Sequence, residues 1–215
     1  MSEEERTGFV HGIRLNEEGK MRLKKFASYA TVLAAASLIT GSSWGGEEEA
    51  AIITPKQMAD ALHAVMEADR TVYAKEIVNR LQYEEKVIQA SEHWKDDKAL
   101  PLPAQFMRLG AELVAEKTES FSYALLSLWP VNKQNAPVTA GEKTGLQHVV
   151  DHPDENYYGA EELGGTKYFT AVYPDKAVAE ACVTCHNNHK DSPRRDFKLN
   201  DIMGGIVIRI PLTGG

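Results

Sequence analysis

The segment Cys182-Val183-Thr184-Cys185-His186 constrains this chain more than any other, because it sets two thiols and an imidazole at a fixed spacing. The pattern C-x-x-C-H is the attachment signature of a c-type haem. Two cysteines three positions apart can each form a thioether with one haem vinyl group, and the following histidine can ligate the iron from the proximal side. The sequence has no third cysteine to compete with these two.

Three other interpretations of this segment stay open. A zinc site could use Cys182, Cys185, His186 and His189, although structural zinc sites usually take a second ligand pair from elsewhere in the chain. A redox dithiol normally opens a helix after a buried strand, whereas residues 177–182 indicate a short helix or turn. A disulfide across so small a loop would stabilise little. Haem attachment accounts best for both cysteines and the histidine together.

The N-terminal residues predict export. Residues 21–25 are largely basic, residues 26–39 form an apolar run, and small residues follow at 41–43. This is the order of a secretory signal peptide. The run is shorter than the ~20 apolar residues that span a bilayer, so a cleaved signal is favoured over a membrane anchor. Only an uncleaved segment would make the membrane a partner.

The expected organisation follows from that signal. The acidic residues 1–20 are unusual before a signal peptide, so we expect translation to start at Met21. Residues 1–20 are then a mis-assigned extension, residues 21–44 the signal, residues 45–53 a flexible leader and residues 54–215 the haem-binding domain. The predicted location is the bacterial periplasm, since c-type haem is attached outside the cytoplasm.

Charge and motif content exclude several functions. The formal net charge is −7, whereas a nucleic-acid-binding protein calls for a basic face. No nucleophile triad, phosphate-binding loop or carboxylate pair stands out in the sequence, so we do not predict an enzyme.

A long amphipathic helix is predicted to begin at residue 54. Thr54 can cap it, Pro55 suits the first helical position and Gln57 completes a capping box. Apolar residues then recur at helical spacing as far as Ile88. Such a helix either packs on a sheet or pairs with a neighbouring copy, which would give a homodimer through the long helix.

The remaining pattern predicts an α+β fold. Helices are expected over residues 104–116 and 139–151. Strands are expected over residues 121–129, 156–158, 167–173 and 206–210, and the second and third flank a turn at Gly164-Gly165. Strands that can pair antiparallel, with helices beside them, indicate α+β rather than a doubly wound sheet.

Six segments together carry a resemblance to a known family. They are RTVYAKEIV (70–78), LPLPA (100–104), SLWP through NAP (127–137), YFTAVY (168–173), ACVTCH (181–186) and GGIVIRIP (204–211). On these segments, which span about residues 55–212, the chain resembles a family of single-haem c-type domains with a PAS-like α+β fold. The family was long catalogued as a domain of unknown function, and it includes small exported proteins and extracytoplasmic input domains of bacterial signalling proteins.

The resemblance implies where a haem would be held. It implies one haem c between the long helix and the antiparallel sheet, covalently attached to Cys182 and Cys185, with His186 as the proximal iron ligand. Family members can use a cysteine of the long helix on the distal side. This chain has no cysteine there, so its sixth ligand must differ or be absent.

Two residues of the long helix are candidates for the distal position. Tyr73 lies near the centre of the apolar face, and a tyrosine can ligate haem iron, although it can equally be a packed aromatic. His63 lies ten residues earlier and is the second candidate, with a partly exposed histidine as the alternative. Basic residues of the loop after the motif could pair with the haem propionates or simply be solvated: Arg194, Arg195 and Lys198.

Two main functions compete, and both use the haem. The first is redox or diatomic-gas sensing, in which the sixth position of the iron changes. The second is electron transfer as a periplasmic cytochrome c, which favours two strong axial ligands. The partner would be a diatomic gas or a redox partner protein. A zinc-binding structural domain is a third, separate interpretation.

Overall fold

The long helix predicted after Thr54 is present, but its hydrogen bonding changes halfway. In the computed structural model, which describes residues 52–212, helix α1 spans Pro55–Val72 and continues as a π-helix over Tyr73–Glu84. The predicted capping box is confirmed: the Gln57 amide donates to Thr54 Oγ1, and the Thr54 amide donates to Gln57 Oε1. The π-helical turns end where the Glu85 amide donates to the Arg80 carbonyl, five residues back.

The other elements follow in an alternating order. The helices are α2 (Pro103–Ala115), α3 (Ala140–Asp151) and α4 (Glu180–Asn188), with a 3₁₀ turn at Lys133–Asn135. The strands are β1 (Ala90–Ser91), β2 (Leu100–Pro101), β3 (Ser122–Leu126), β4 (Tyr157–Leu163), β5 (Thr166–Lys176) and β6 (Ile202–Pro211). The α3 capping box of Thr139 and Glu142 is also present.

Four strands form one antiparallel sheet in the order β3-β6-β5-β4, and β1 and β2 form a separate short parallel pair. The β4–β5 hairpin turns at Gly164 and Gly165, whose φ angles of 59° and 82° are in the left-handed region that glycine adopts without strain. The antiparallel sheet with flanking helices confirms the predicted α+β class. The PAS-like assignment stays a prediction.

Each face of the sheet is covered by helices. Alternate residues of a strand point to opposite faces, so Tyr173 and Ile206 pack with Ala59 of α1, while Val172 and Val207 pack with α3. Burying an aliphatic side chain of this size contributes roughly 1.5–3 kcal/mol, so both layers stabilise the fold. The long helix therefore packs on the sheet, and a homodimer through it stays a prediction.

Some predicted boundaries were wrong. Strand β3 ends at Leu126 because the Ser127 amide donates to the Asn135 carbonyl of the 3₁₀ turn instead of to β6, while its hydroxyl donates to the Met203 carbonyl of β6. Strand β5 runs past the predicted end at Tyr173 to Lys176, and β6 begins at Ile202. The predicted N-terminal extension, signal and most of the leader lie outside the described residues. Between residues 52 and 212, no helix has the length and apolarity needed to cross a bilayer.

Candidate functional site

The C-x-x-C-H segment lies inside helix α4, which presents its reactive side chains together. Cys182, Cys185 and His186 are three and four residues apart, a spacing that brings side chains onto one helical face. All three line the same cavity. The helix is fixed to the π-helical segment, because the Ala181 amide donates to Asn79 Oδ1 at 3.3 Å.

The cavity is large and mainly apolar. Its volume is about 1220 Å³, above the ~300–1,000 Å³ typical of ligand pockets. Its walls come from the π-helical segment, α2, the end of β3 with the loop that follows, the start of β6, and α4. The apolar lining includes Ala74, Val78, Leu102, Leu109, Leu125, Leu126, Leu128 and Met203. Such a space is large enough for a sizeable, largely apolar group.

The His186 imidazole has the burial and the protonation state that suit a metal ligand. Its ring is largely buried, packs edge-on against Phe197 at 5.9 Å between centroids, and leaves the buried Nδ1 without a hydrogen-bond partner. Burial, helped by the nearby Arg70 and His189, lowers the pKa of His186 to about 4. The imidazole is therefore neutral near pH 7, which is the form that ligates a metal.

The two cysteines are both free thiols and half-buried. Burial raises the pKa of Cys185, and the nearby Glu92 and Cys182 add to the effect. Both side chains reach the cavity beside His186. The donor set, the orphaned ring nitrogen and the apolar walls together fit the c-type haem that the sequence predicts.

The zinc interpretation gains no support. Among residues 52–212, no three His, Cys, Asp or Glu side chains are arranged to hold a metal ion. His189, the fourth ligand that a zinc site would need, turns its Nε2 towards Glu92 Oε1 at 3.3 Å.

Neither predicted distal candidate lines the cavity. The Tyr73 hydroxyl donates to the Pro101 carbonyl at 2.7 Å, its ring stacks on Phe106, and burial raises its pKa, which keeps it a phenol. His63 stacks on Tyr173 with 3.9 Å between ring centroids, and burial lowers its pKa. The distal roles of Tyr73 and His63 are thus predictions that the geometry does not favour.

The position of both candidates follows from α-helical geometry. His63 lies inside α1, and the Tyr73 amide still donates to the Asp69 carbonyl four residues back, so Tyr73 continues the face that carries Ala59 and His63. The wider helix lies beyond that point. Bonds from residue i to i+5 widen the helix and change which side chains share a face. The cavity is instead lined by a row at every fourth position: Arg70, Ala74, Val78 and Gln82.

A buried ion pair lies in the cavity wall and was not predicted. Arg70 donates from its Nη2 to Asp175 Oδ2 at 2.9 Å, and both side chains are about 8% exposed. Burial raises the pKa of Asp175, and the Arg70 guanidinium partly offsets that rise. The partners are 105 residues apart, so no local sequence pattern could have paired them.

The basic residues predicted to meet haem propionates lie elsewhere. Arg194 packs over the rings of Trp129 and Phe197 and pairs with Asp196, and neither Arg195 nor Lys198 lines the cavity. Other basic side chains do line it: His93, Arg108 and Lys133, to which the sequence gave no role, and His189, which was named above only as a possible zinc ligand. Nothing in the sequence besides their residue type indicates that these side chains line a cavity.

Comparisons with known proteins support one family. The family model described as Tll0287-like matches residues 48–211, which is well over half of the chain. A search of solved structures finds the crystal structure of the cyanobacterial heme-protein Tll0287, with 14% sequence identity and a TM-score of 0.49, covering 75% of this chain and 99% of that one. A search of curated protein sequences finds no match. On the extent of the family-model match, the chain belongs to the Tll0287-like family.

Proposed function

We propose that this chain is an exported protein that carries one covalently attached c-type haem and acts in redox or diatomic-gas sensing. One observation carries the proposal: Cys182, Cys185 and His186 line a single large apolar cavity. Family membership supports it, because the solved protein that shares the family's name is described as a heme-protein. Export is part of the proposal, since the attachment chemistry takes place outside the bacterial cytoplasm.

The residues of the cavity have separate roles in this proposal. The Cys182 and Cys185 thiols would hold the haem edge, and the neutral His186 imidazole would bind the iron. The leucines of the wall would exclude water from a bound haem. A bound haem supplies a redox-active iron whose behaviour depends on its axial ligands and on the polarity around it.

The sensing role rests on what the long helix contributes to the cavity. The π-helical segment places Ala74, Val78, Gln82 and Tyr83 in the wall after Arg70, and among these the Tyr83 phenol is the one group of a type that can ligate haem iron. Burial raises the pKa of Tyr83, which keeps it a phenol, so this side of the cavity offers a weak ligand. A weak or external sixth ligand is what a gas or redox sensor needs.

Electron transfer is the second candidate, and a different observation favours it. His93 and His189 both line the cavity, and either imidazole could supply a second strong ligand if it turned towards the iron. His189 is held by Glu92, whereas His93 is an exposed residue of the segment between β1 and β2. Two imidazole ligands would limit reorganisation and suit a carrier.

Absorption spectra with carbon monoxide distinguish the two roles. Protein matured with haem attachment would be measured oxidised, reduced, and reduced with carbon monoxide. Sensing predicts that the ferrous form binds carbon monoxide readily, and that His93→Ala and His189→Ala leave the spectra unchanged. Sensing would be contradicted, and electron transfer supported, if carbon monoxide left the ferrous spectrum unchanged in the wild type and changed it only after one of these histidines was replaced.

A further inference from the structure

Tyr83 is the tyrosine that the π-helical segment places in the cavity wall. The residue is half-buried, and its hydroxyl lies near both motif thiols: burial raises the pKa of Tyr83, and the nearby Cys185 and Cys182 add to the rise. The phenol therefore keeps its proton near pH 7, beside the edge where a haem would be attached. A phenol can both accept and donate a hydrogen bond, so the question is where this proton goes.

The neighbouring Gln82 acts on the Tyr83 hydroxyl as a donor. Gln82 Oε1 is turned to the Ala90 amide, from which it accepts a hydrogen bond at 2.7 Å, so the amide nitrogen of Gln82 is the end left for Tyr83. In agreement with this, Gln82 lowers the pKa of Tyr83, which is the effect of a donor beside a phenol oxygen. Gln82 therefore leaves the phenol proton for the cavity.

Three other tyrosines show how this fold usually provides for a phenol proton. Tyr73 donates to a main-chain carbonyl at 2.7 Å, and Tyr158 and Tyr173 donate to Asp60 at 2.7 and 2.8 Å. No side chain in the described part of the protein accepts from Tyr83 in this way. An unmade hydrogen bond is costly where water is excluded, so a ligand that brings an acceptor into this apolar cavity would be favoured.

Tyr83 and His186 reach the cavity from different elements. His186 belongs to α4, whereas Tyr83 belongs to the π-helical segment, to which α4 is fixed through Asn79. A haem attached to α4 would take its proximal ligand from that helix, so the Tyr83 proton is left for another group that binds near the iron. Hydrogen-bond donors around a haem decide which small ligand it favours.

We infer that the Tyr83 hydroxyl is a hydrogen-bond donor to the small ligand that the haem binds, and that the site favours ligands with an accepting atom, such as dioxygen, over carbon monoxide. Carbon monoxide is a poor acceptor, so it gains little from such a donor. The inference rests on the proposed haem function and adds to it the class of ligand. In this role Tyr83 keeps its proton, which distinguishes it from an iron ligand.

Fluoride and carbon monoxide, titrated into holoprotein and followed by absorption, represent the two ligand classes. Fluoride binds ferric haem and is a strong hydrogen-bond acceptor, whereas carbon monoxide binds ferrous haem and is a weak one. Tyr83→Phe removes the hydroxyl and keeps the ring, so the packing of the wall is preserved. Tyr73→Phe is the matched control, because Tyr73 lies on the same long helix but outside the cavity lining.

The expected result is a selective loss of fluoride affinity. In Tyr83→Phe the fluoride Kd should rise roughly 5- to 30-fold, the effect of losing one hydrogen bond to a charged acceptor in a partly exposed site. The carbon monoxide Kd should stay unchanged in the same variant. Neither Kd should change in Tyr73→Phe.

Three outcomes would overturn the inference. An unchanged fluoride Kd in haem-bearing Tyr83→Phe would show that the hydroxyl donates to no ligand. A ferric spectrum that differs from the wild type before fluoride is added, with tighter fluoride binding in the variant, would show that Tyr83 is itself an iron ligand. A wild-type protein without covalent haem, or with a haem that binds neither fluoride nor carbon monoxide, would overturn the proposed function and the inference with it, and this is seen before any variant is made.

Discussion

The two halves of the long helix differ in what they face. The α-helical half, Pro55–Val72, covers the sheet, and its Asp60 finds partners within the protein. Asp60 accepts hydrogen bonds from the hydroxyls of Tyr158 and Tyr173 at 2.7 and 2.8 Å and pairs with Lys56. The π-helical half, Tyr73–Glu84, lines the cavity with Ala74 and Val78 and supports the motif helix through Asn79.

This difference shows how one continuous helix serves two purposes. In the first half the periodicity is α-helical and the contacts are those of a core, so substitutions there should change stability. In the second half the wider helix leaves small side chains against open volume, so substitutions there should change the site. Arg70, at the junction, belongs to both, being buried like a core residue and open to the cavity.

The largest expected effect comes from the motif that the second half supports. Cys182→Ala/Cys185→Ala should abolish covalent haem, because no other thiol exists in the chain to form a thioether. Haem-stained denaturing gels measure the loss, with Thr184→Ser as the control inside the motif. The apo forms of both variants should unfold like the wild-type apoprotein. Haem that remains covalently bound in the double variant would contradict the assignment.

A matched pair of alanines tests the comparison most closely, because Ala59 and Ala74 are both fully buried, one in each half. Ala59→Leu should destabilise the protein by about 1–3 kcal/mol, since it overpacks the layer between α1 and the sheet. Ala74→Leu can project into the cavity, so it should cost less than about 1 kcal/mol but weaken carbon monoxide binding. Urea unfolding and carbon monoxide titration measure the two effects.

The proposed difference between the two halves of the helix would be wrong if Ala59→Leu and Ala74→Leu had the same effects. Equal destabilisation by the two leucines would mean that Ala74 is packed like a core residue. Carbon monoxide binding that changes equally in both variants would mean that the two halves do not have separate roles.

A smaller effect is expected at Asp60. Asp60→Ala leaves the Tyr158 and Tyr173 hydroxyls without their acceptor, which should lower the free energy of unfolding by about 1–2 kcal/mol. This is the lower part of the range for such a loss, because the carboxylate is partly exposed. The haem spectra should not change. Urea unfolding of Asp60→Ala, with Lys56→Ala as a control for the exposed ion pair, measures the cost. A variant as stable as the wild type would contradict the role given to this cluster.

The smallest expected effect is on pH dependence. Burial alone would raise the pKa of Asp60, but its hydrogen bonds from Lys56, Tyr158 and Tyr173 outweigh this and lower it. A carboxylate with a lowered folded-state pKa stabilises the protein above its unfolded pKa, and that stability is lost as the pH falls through the folded-state value. Between about pH 5 and about pH 3, the wild type should therefore lose more stability than Asp60→Asn. Parallel urea unfolding curves for the two proteins would contradict this.

Much of the fold follows from local sequence signals. The two capping boxes, the glycine pair of the hairpin and the alternation in β5 and β6 depend on residues close in the chain, so the sequence predicts them well. The C-x-x-C-H residues share a helix face for the same reason. The PAS-like topology, the export signal and the covalent haem are not tested by these local features and stay proposals.

What the sequence did not predict depends on distant contacts. The π-helical bonding of Tyr73–Glu84 has no simple signature, because the apolar pattern there is compatible with a regular α-helix. Tyr73 and His63, the two predicted distal candidates, lie outside the cavity lining. The Arg70–Asp175 pair and the cavity positions of His93 and His189 arise only when separate segments meet.

The most direct test of the central claim is the haem content and denatured mass of the purified protein after export in a host that attaches c-type haem. The account predicts one haem per chain, which stays attached after denaturation and is localised by peptide mapping to the peptide containing Cys182 and Cys185. A protein that was exported and matured under these conditions, yet had the mass of the bare polypeptide, would contradict it.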